Sequence, residues 1–271
     1  MYLHFGRSDG IIKMEKDGSA DVGVAFFKSG KGMGRTMKLF AHRGASRYRE
    51  ENSVESLTFA ADMGADAVEC DVTRLKDGSY VIYHDETLAR LAGADIRLRD
   101  IGQAEMRERL AAVGRRLTTF DELVAGYDRS VPILLHIKME KLDADFIEKL
   151  RKLEMPMLFG AVSVSVVRSL RELFPPERIL AFMPGKRDYR AFYEAGAGNI
   201  RLWENWLTEV TPAEVKAACP GAEVWIMAND GHGDFSGSVA SLERCRELGA
   251  DAYLLDDTRM AVEWRNSHGN A

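Results

Sequence analysis

At 271 residues, with 46% hydrophobic and 29% charged side chains, the chain holds enough apolar material for one large core and enough charge for a solvated surface. A formal net charge of −5 excludes the broad basic field that binds nucleic acid, so an anionic ligand must be drawn by a local cluster of cations. Cys70, Cys219 and Cys245 match neither a zinc spacing nor a disulfide framework, and no apolar run reaches the length of an integral membrane segment, which together predict a cytoplasmic protein with reduced thiols.

Residues 1–36 are rich in Gly, Lys and Asp and lack sustained periodicity, which predicts an N-terminal extension ahead of a domain over 37–265. Gly30, Gly32 and Gly34 beside Lys31 lack the spacing, and the Ser or Thr after the lysine, of a phosphate loop. From Leu39 onward, short apolar runs predict strands at Lys38–Ala41, Ala67–Val72, Ile133–Ile137, Met157–Val162, Ile179–Met183, Asn199–Trp203, Glu223–Met227 and Ala252–Leu255. Helical patterns separate most of them, at Ser53–Met63, Thr119–Tyr127, Asp143–Leu153, Ser165–Phe174, Arg187–Ala195, Pro212–Ala218 and Val239–Leu248. Eight strands alternating with helices predict an α/β protein, a TIM (β/α)8 barrel; an open doubly wound sheet is the alternative, but no Gly-rich dinucleotide turn follows the first strand. The stretch 87–116 breaks the alternation and reads as a small insertion before the third barrel strand. Its arginines are expected either to form a lid over an anionic substrate or to pair with Asp95, Asp100, Glu105 and Glu108 on a solvated face.

Functional groups of such a barrel lie at the C-terminal ends of its strands. His42 and Arg43 end the first, Glu69 and Asp71 the second, and His136 and Lys138 the third; His84 closes a short extended run after the Asp77-Gly78 turn. Alternation along a strand sends Glu69 and Asp71 to one face while Cys70 points back. Two neighbouring carboxylates repel unless a cation lies between them, and a hard divalent metal is their natural partner. Two proton-transfer groups, a fixed cation and an acidic metal pair are the equipment of phosphodiester hydrolysis.

The motifs His42-Arg43-Gly44, Glu51-Asn52-Ser53, Glu69-Cys70-Asp71-Val72, Lys76-Asp77-Gly78 and His84-Asp85 resemble those of the glycerophosphodiester phosphodiesterase family. The looser matches Leu117–Leu123, Val224-Trp225 with Asn229, and Gly249–Ala252 leading to Asp256-Asp257 extend the resemblance over about residues 37–260. It implies a metal-dependent hydrolase in which His42 and His84 are general acid and base, Arg43 and Lys138 hold the phosphoryl oxygens, and the partner is a small-molecule phosphodiester. It also marks Glu51 as a residue that touches the metal region or organises the histidines. Asn52 either caps the following helix or also orients the site. Trp225 is either core or an apolar wall for the glycerol moiety.

One departure stands out. The family's third strand carries a glutamate two residues before the lysine, as a metal ligand, whereas this chain reads Leu135-His136-Ile137-Lys138. Neutral imidazole favours borderline metals over Ca²⁺, so the expectation is Mg²⁺ or Mn²⁺ (Zn²⁺ and Ca²⁺ being possible) on Glu69, Asp71 and His136. The alternatives are a carboxylate from elsewhere, such as Glu204, or a site with weakened activity that merely binds phosphodiesters. A lysophospholipase D-like or sphingomyelinase D-like lipid phosphodiesterase is a further alternative with the same histidine and acid arrangement. His232, in a glycine-rich loop, is expected to be a plain loop histidine. The oligomeric state is not readable from the sequence.

Overall fold

The computed structural model describes residues 37–268, and the extension expected at 1–36 lies outside them. Eight parallel strands close into a barrel: β1 (Lys38–Ala41), β2 (Ala67–Arg74), β5 (Ile133–Ile137), β6 (Met157–Ala161), β7 (Ile179–Ala181), β8 (Asn199–Trp203), β9 (Glu223–Met227) and β10 (Ala252–Leu255). Closure is made where β1 pairs with both β10 and β2, Lys38 standing opposite Ala252 and Phe40 opposite Ala67. Two short strands, β3 (Tyr80–Ile82) and β4 (Thr118–Thr119), extend the sheet sideways from the upper end of β2 by antiparallel pairing.

Helices α1 (Val54–Asp62), α4 (Phe120–Gly126), α5 (Ala144–Arg151), α6 (Val164–Arg171), α7 (Tyr189–Glu194), α8 (Pro212–Ala218), α9 (Val239–Glu247) and α10 (Thr258–His268) accompany the barrel strands. Side-chain caps start most of these helices. Ser53, Asp143, Ser163, Thr211 and Ser238 each accept a backbone N–H of the first turn, and Thr119 with Glu122 forms a capping box. Leu39, Ala41, Val68, Cys70 and Val72 pack outward with helix residues such as Leu57 and Ala60, in one continuous core. Strand alternation therefore turns Phe40, Glu69 and Asp71 to the barrel interior. Among the described residues, no helix is long and apolar enough to cross a membrane.

The insertion is more regular than its charge predicts. Between β3 and β4 it forms α2 (Ala89–Ala92), a 3₁₀ turn at Leu98–Asp100, and α3 (Gln103–Ala112). Leu88, Leu98, Ile101, Met106, Leu110 and Leu117 bury against Leu75, Val81 and Tyr83 as a second, separate core. Four of its arginines pair, three of them with residues outside the insertion: Arg107 with Glu122, Arg115 with Glu50, and Arg90 with Glu51 and Asp85. Only the Arg109–Glu105 pair, one helical turn apart, matches the expected partners.

Candidate active site

The turn after β1 is built to aim Arg43 and its backbone at β2. Arg43 takes a left-handed conformation (φ 57°), which costs a non-glycine residue roughly 1–2 kcal/mol. Three bonds hold it there: its N–H donates to Glu69 Oε2 (2.8 Å), and its carbonyl accepts from Asn52 N (3.1 Å) and Ser56 Oγ (3.1 Å). Gly44 follows at φ 77°, where a Cβ would lie 2.4 Å from Ser56 Oγ, so only glycine lets α1 approach this closely.

Glu69 and Asp71 are buried side by side, and the β2–β5 register sets His136 directly opposite Asp71. His136 Nδ1 lies 2.9 Å from Asp71 Oδ1 and 3.7 Å from Glu69 Oε1. Its ring stacks on Phe182, centroids 3.8 Å apart, and that stack needs Gly160 alongside, because a Cβ there would lie 2.5 Å from the Phe182 ring. Asn52 grips Asp71 twice, donating Nδ2–H to Oδ2 (3.1 Å) and accepting the Asp71 N–H (3.0 Å). Asn52 therefore holds the Asp71 carboxylate in place, and Ser53 is the helix cap. Lys138 Nζ and Arg43 Nε approach Asp71 from two sides, each at 3.8 Å.

Burial and the neighbouring Asp71 charge push the Glu69 carboxyl well above its usual range. Burial also acts to raise Asp71, but its hydrogen bond with His136, with His84 and Lys138 nearby, holds it well below. Burial pushes His136 down to about 4 against the pull of Asp71, so its imidazole is neutral near pH 7. Glu69 Oε1 and His136 Nε2 are buried without a hydrogen-bond partner. Two carboxylates and an imidazole whose ligand atoms lie within 4.8 Å of one another, one carboxylate oxygen unanswered, fit a divalent cation. Glu204 does not join them. It is spent on the Tyr253 hydroxyl, which donates to it at 2.6 Å on the outward side of β10.

Each motif histidine leans on a carboxylate through the same ring nitrogen. His42 Nδ1 lies 2.7 Å from Asp256 Oδ1, and His84 Nδ1 lies 2.7 Å from Asp85 Oδ1. A proton on Nδ1 shared with the acid leaves Nε2 as the basic atom of each ring. Burial lowers the His84 pKa, with Arg43 and Lys138 adding to that effect and Asp71 and Asp85 opposing it. Glu51 connects the two halves. It accepts from Arg43 (3.2 Å) and from both terminal nitrogens of Arg90, whose Nε donates to Asp85 at 2.6 Å. Burial would raise Glu51, but those arginines outweigh it and the net shift is downward.

Of its two readings, Trp225 takes the core one, and the wall reading does not hold. Its indole packs edge-on to Phe40 inside the barrel (centroids 4.7 Å) and donates to Glu223 at the N-terminal end of its own strand. A side chain in the middle of β9, tethered downward, fills the barrel and forms no wall at the rim. His232 sits in an exposed loop, its backbone N–H bonded to Asp230. Sequence reading missed Asp256 as the partner of His42 and Arg90 as the tie between Glu51 and Asp85. It also missed Arg201, a buried guanidinium 4.4 Å from the Trp203 ring centroid and 5.2 Å from that of Phe182. The adjacent acids Asp256-Asp257 at the end of the last strand were the available signal for the first of these.

With this geometry in view, residues 42–171 match the model of the glycerophosphoryl diester phosphodiesterase family. The chain is 28% identical over 142 residues to a glycerophosphodiester phosphodiesterase of Caldanaerobacter subterraneus, covering 52% of this chain and 56% of that protein. It is 31% identical over 162 residues to human glycerophosphodiester phosphodiesterase 1, covering 56% of this chain and 47% of the other. The chain thus spans about half the length of these curated relatives. The fold is similar to that of the glycerophosphodiester phosphodiesterase of Thermotoga maritima (TM-score 0.65, 23% identity, 84% of this chain and 98% of that one). It is also similar to an Oleispira antarctica phosphodiesterase solved in complex with the product sn-glycerol-3-phosphate (TM-score 0.68, 22% identity, 84% and 96%).

Proposed function

We propose that this chain, whose residues 42–171 match the glycerophosphoryl diester phosphodiesterase family, hydrolyses glycerophosphodiesters to an alcohol and sn-glycerol 3-phosphate. The observation that carries the reading is the pair of histidines, each anchored through Nδ1 by its own carboxylate, flanking a buried acidic cluster with Arg43 and Lys138 beside it. Arg43 and Lys138 hold the phosphoryl oxygens, as fixed cations that need no reorganisation when charge builds up. Nε2 of one histidine removes a proton from a substrate glycerol hydroxyl. The freed oxygen attacks phosphorus and the bond to the alcohol breaks, while the other histidine protonates the departing oxygen. Water then opens the cyclic phosphate with the two histidines in exchanged roles, breaking the bond that the hydroxyl had made. Intramolecular attack replaces the assembly of two reactants, so positioning supplies much of the acceleration.

Glu69, Asp71 and His136 would hold the divalent metal, which when bound lowers the pKa of the attacking hydroxyl and offsets phosphoryl charge. The imidazole favours Mn²⁺ over Ca²⁺, and the two carboxylates suit Mg²⁺ as a hard cation. Asn52 and Glu51 position the ligands and the His84–Asp85 pair. The test is release of glycerol phosphate from glycerophosphoethanolamine by the full chain, and by His42→Ala and His84→Ala. Each variant is expected to lose at least ~10²-fold in turnover, the lower range for a missing general acid or base. Near wild-type turnover in either removes that histidine from the mechanism, and no turnover in the metal-supplemented wild type favours a protein that only binds phosphodiesters.

A further inference from the structure

A cavity of about 630 Å³ lies between the barrel rim and the insertion, with His84 and Lys138 on its lining. Thr73, two residues beyond Asp71 on the same strand face, lines it too, so the cavity adjoins the acidic pair. Its far wall comes from Asp85–Thr87, which leads into the insertion, and from Asp95, Arg97, Leu98 and Arg99 within it. They are tied by an antiparallel bridge between Thr87 and Arg97, by Leu98 N donating to Glu86 O (2.9 Å), and by Leu88 N donating to Ile96 O (3.0 Å). Leu88 and Leu98 are buried in the second core, while Arg97 and Arg99 on either side of Leu98 stay exposed. The backbone that presents these two guanidiniums is therefore anchored on both sides.

Four other arginines of the insertion are used in ion pairs: Arg90, Arg107, Arg109 and Arg115. Arg97 and Arg99 have none among the described residues, although nothing in the reaction above requires them. Arg74, also on the lining, is paired with Asp143, and Asp85 is engaged by His84 and Arg90. Two cations, Arg97 and Arg99, and two anions, Glu86 and Asp95, thus remain for a ligand that enters beside His84 and Lys138.

We propose that this cavity is the leaving-group subsite and that it selects an alcohol bearing a carboxylate next to an ammonium, an amino-acid headgroup of the serine type. The proposal rests on the phosphodiesterase reading above and names its substrate class. A guanidinium offers paired donors in the geometry of a carboxylate, so Arg97 and Arg99 would take the acid while Glu86 and Asp95 face the ammonium. A headgroup with an ammonium alone leaves both guanidiniums unanswered and meets them as like charges.

Glycerophosphoserine and glycerophosphoethanolamine differ by one carboxylate, which makes them the matched probes. The full chain, with Mn²⁺ supplied, is expected to show kcat/KM about tenfold higher for the serine diester, a charge-assisted contact weakened by exposure. The preference should shrink as salt is raised and fall towards one in R97Q/R99Q. Equal efficiency on the two substrates in the wild type, or a preference that survives R97Q/R99Q, overturns the proposal. The same pair is titrated by calorimetry into His42→Ala, with and without R97Q/R99Q, which reads the subsite without turnover. Selective binding of the serine diester with no turnover of either would keep the subsite and sink the phosphodiesterase reading; turnover of both with no preference in either assay would do the reverse. If R97Q/R99Q does not fold, R97Q alone carries the comparison.

Discussion

His84 is where burial and charge act most directly on the proposed chemistry. Its pKa is depressed, so the neutral form persists below the usual imidazole value of about 6.5. If neutral His84 is the base, the acidic limb of kcat/KM lies below that value. Asp85 is one of the groups that raise His84, so Asp85→Asn should move the limb to still lower pH while turnover falls. A limb that stays put or moves up, measured over pH 4.5–8, would assign it to another group. His136 invites a complementary substitution. His136→Glu supplies a hard oxygen and a negative charge, and should raise affinity for Ca²⁺ relative to Mn²⁺ in calorimetric titration. An unchanged preference would mean that His136 is no ligand. Residue types of this kind were legible because each motif is local: His42-Arg43, Glu69 with Asp71, His84-Asp85. Asp256 was not, because 214 residues separate it from His42 and nothing but the closing of the barrel brings them together.

Among the elements, the eight barrel strands follow the apolar runs closely, since a parallel strand is buried on both faces and leaves an unbroken signature in the sequence. The insertion hid its helices because charge dominates α3, where only Met106 and Leu110 are buried. Those two side chains nevertheless belong to a second core distinct from the barrel's. Leu110→Ala should cost about 2–5 kcal/mol, the range for truncating a buried leucine. The loss is expected to be local: amide exchange should speed up across α2 and α3 while β5 and β6 keep their protection. Uniform loss of protection across the barrel strands would show that the two cores unfold as one unit. Arg90, on α2, ties the insertion to Glu51 and Asp85, so loosening this core should also lower turnover.

For the molecule as a whole, the net charge of −5 leaves no basic field, and the cations nearest the acidic pair are Arg43 and Lys138, both beside Asp71. The buried acidic pair is the least comfortable part of the fold. Glu69 has an unanswered oxygen, and its carboxyl is pushed up by burial and by Asp71, so the metal-free protein holds a group whose charged form is destabilised. A divalent cation would relieve both, and because it binds only the folded arrangement, it should stabilise the whole barrel by linkage. At a free metal concentration of ~100 Kd the gain is about 2.7 kcal/mol, or roughly 5–10 °C in melting temperature for a domain of this size. Melting the protein in EDTA and then with excess Mg²⁺, Mn²⁺ or Ca²⁺ measures it directly, with turnover recorded on the same samples. EDTA is expected to lower the melting temperature and abolish turnover, and Mn²⁺ or Mg²⁺ to restore both more readily than Ca²⁺. The shift should vanish in Glu69→Gln, which removes the charge while keeping the side chain's shape. Full activity in metal-stripped protein would sink the metal assignment, and a melting shift that persists in Glu69→Gln would place the bound ion elsewhere.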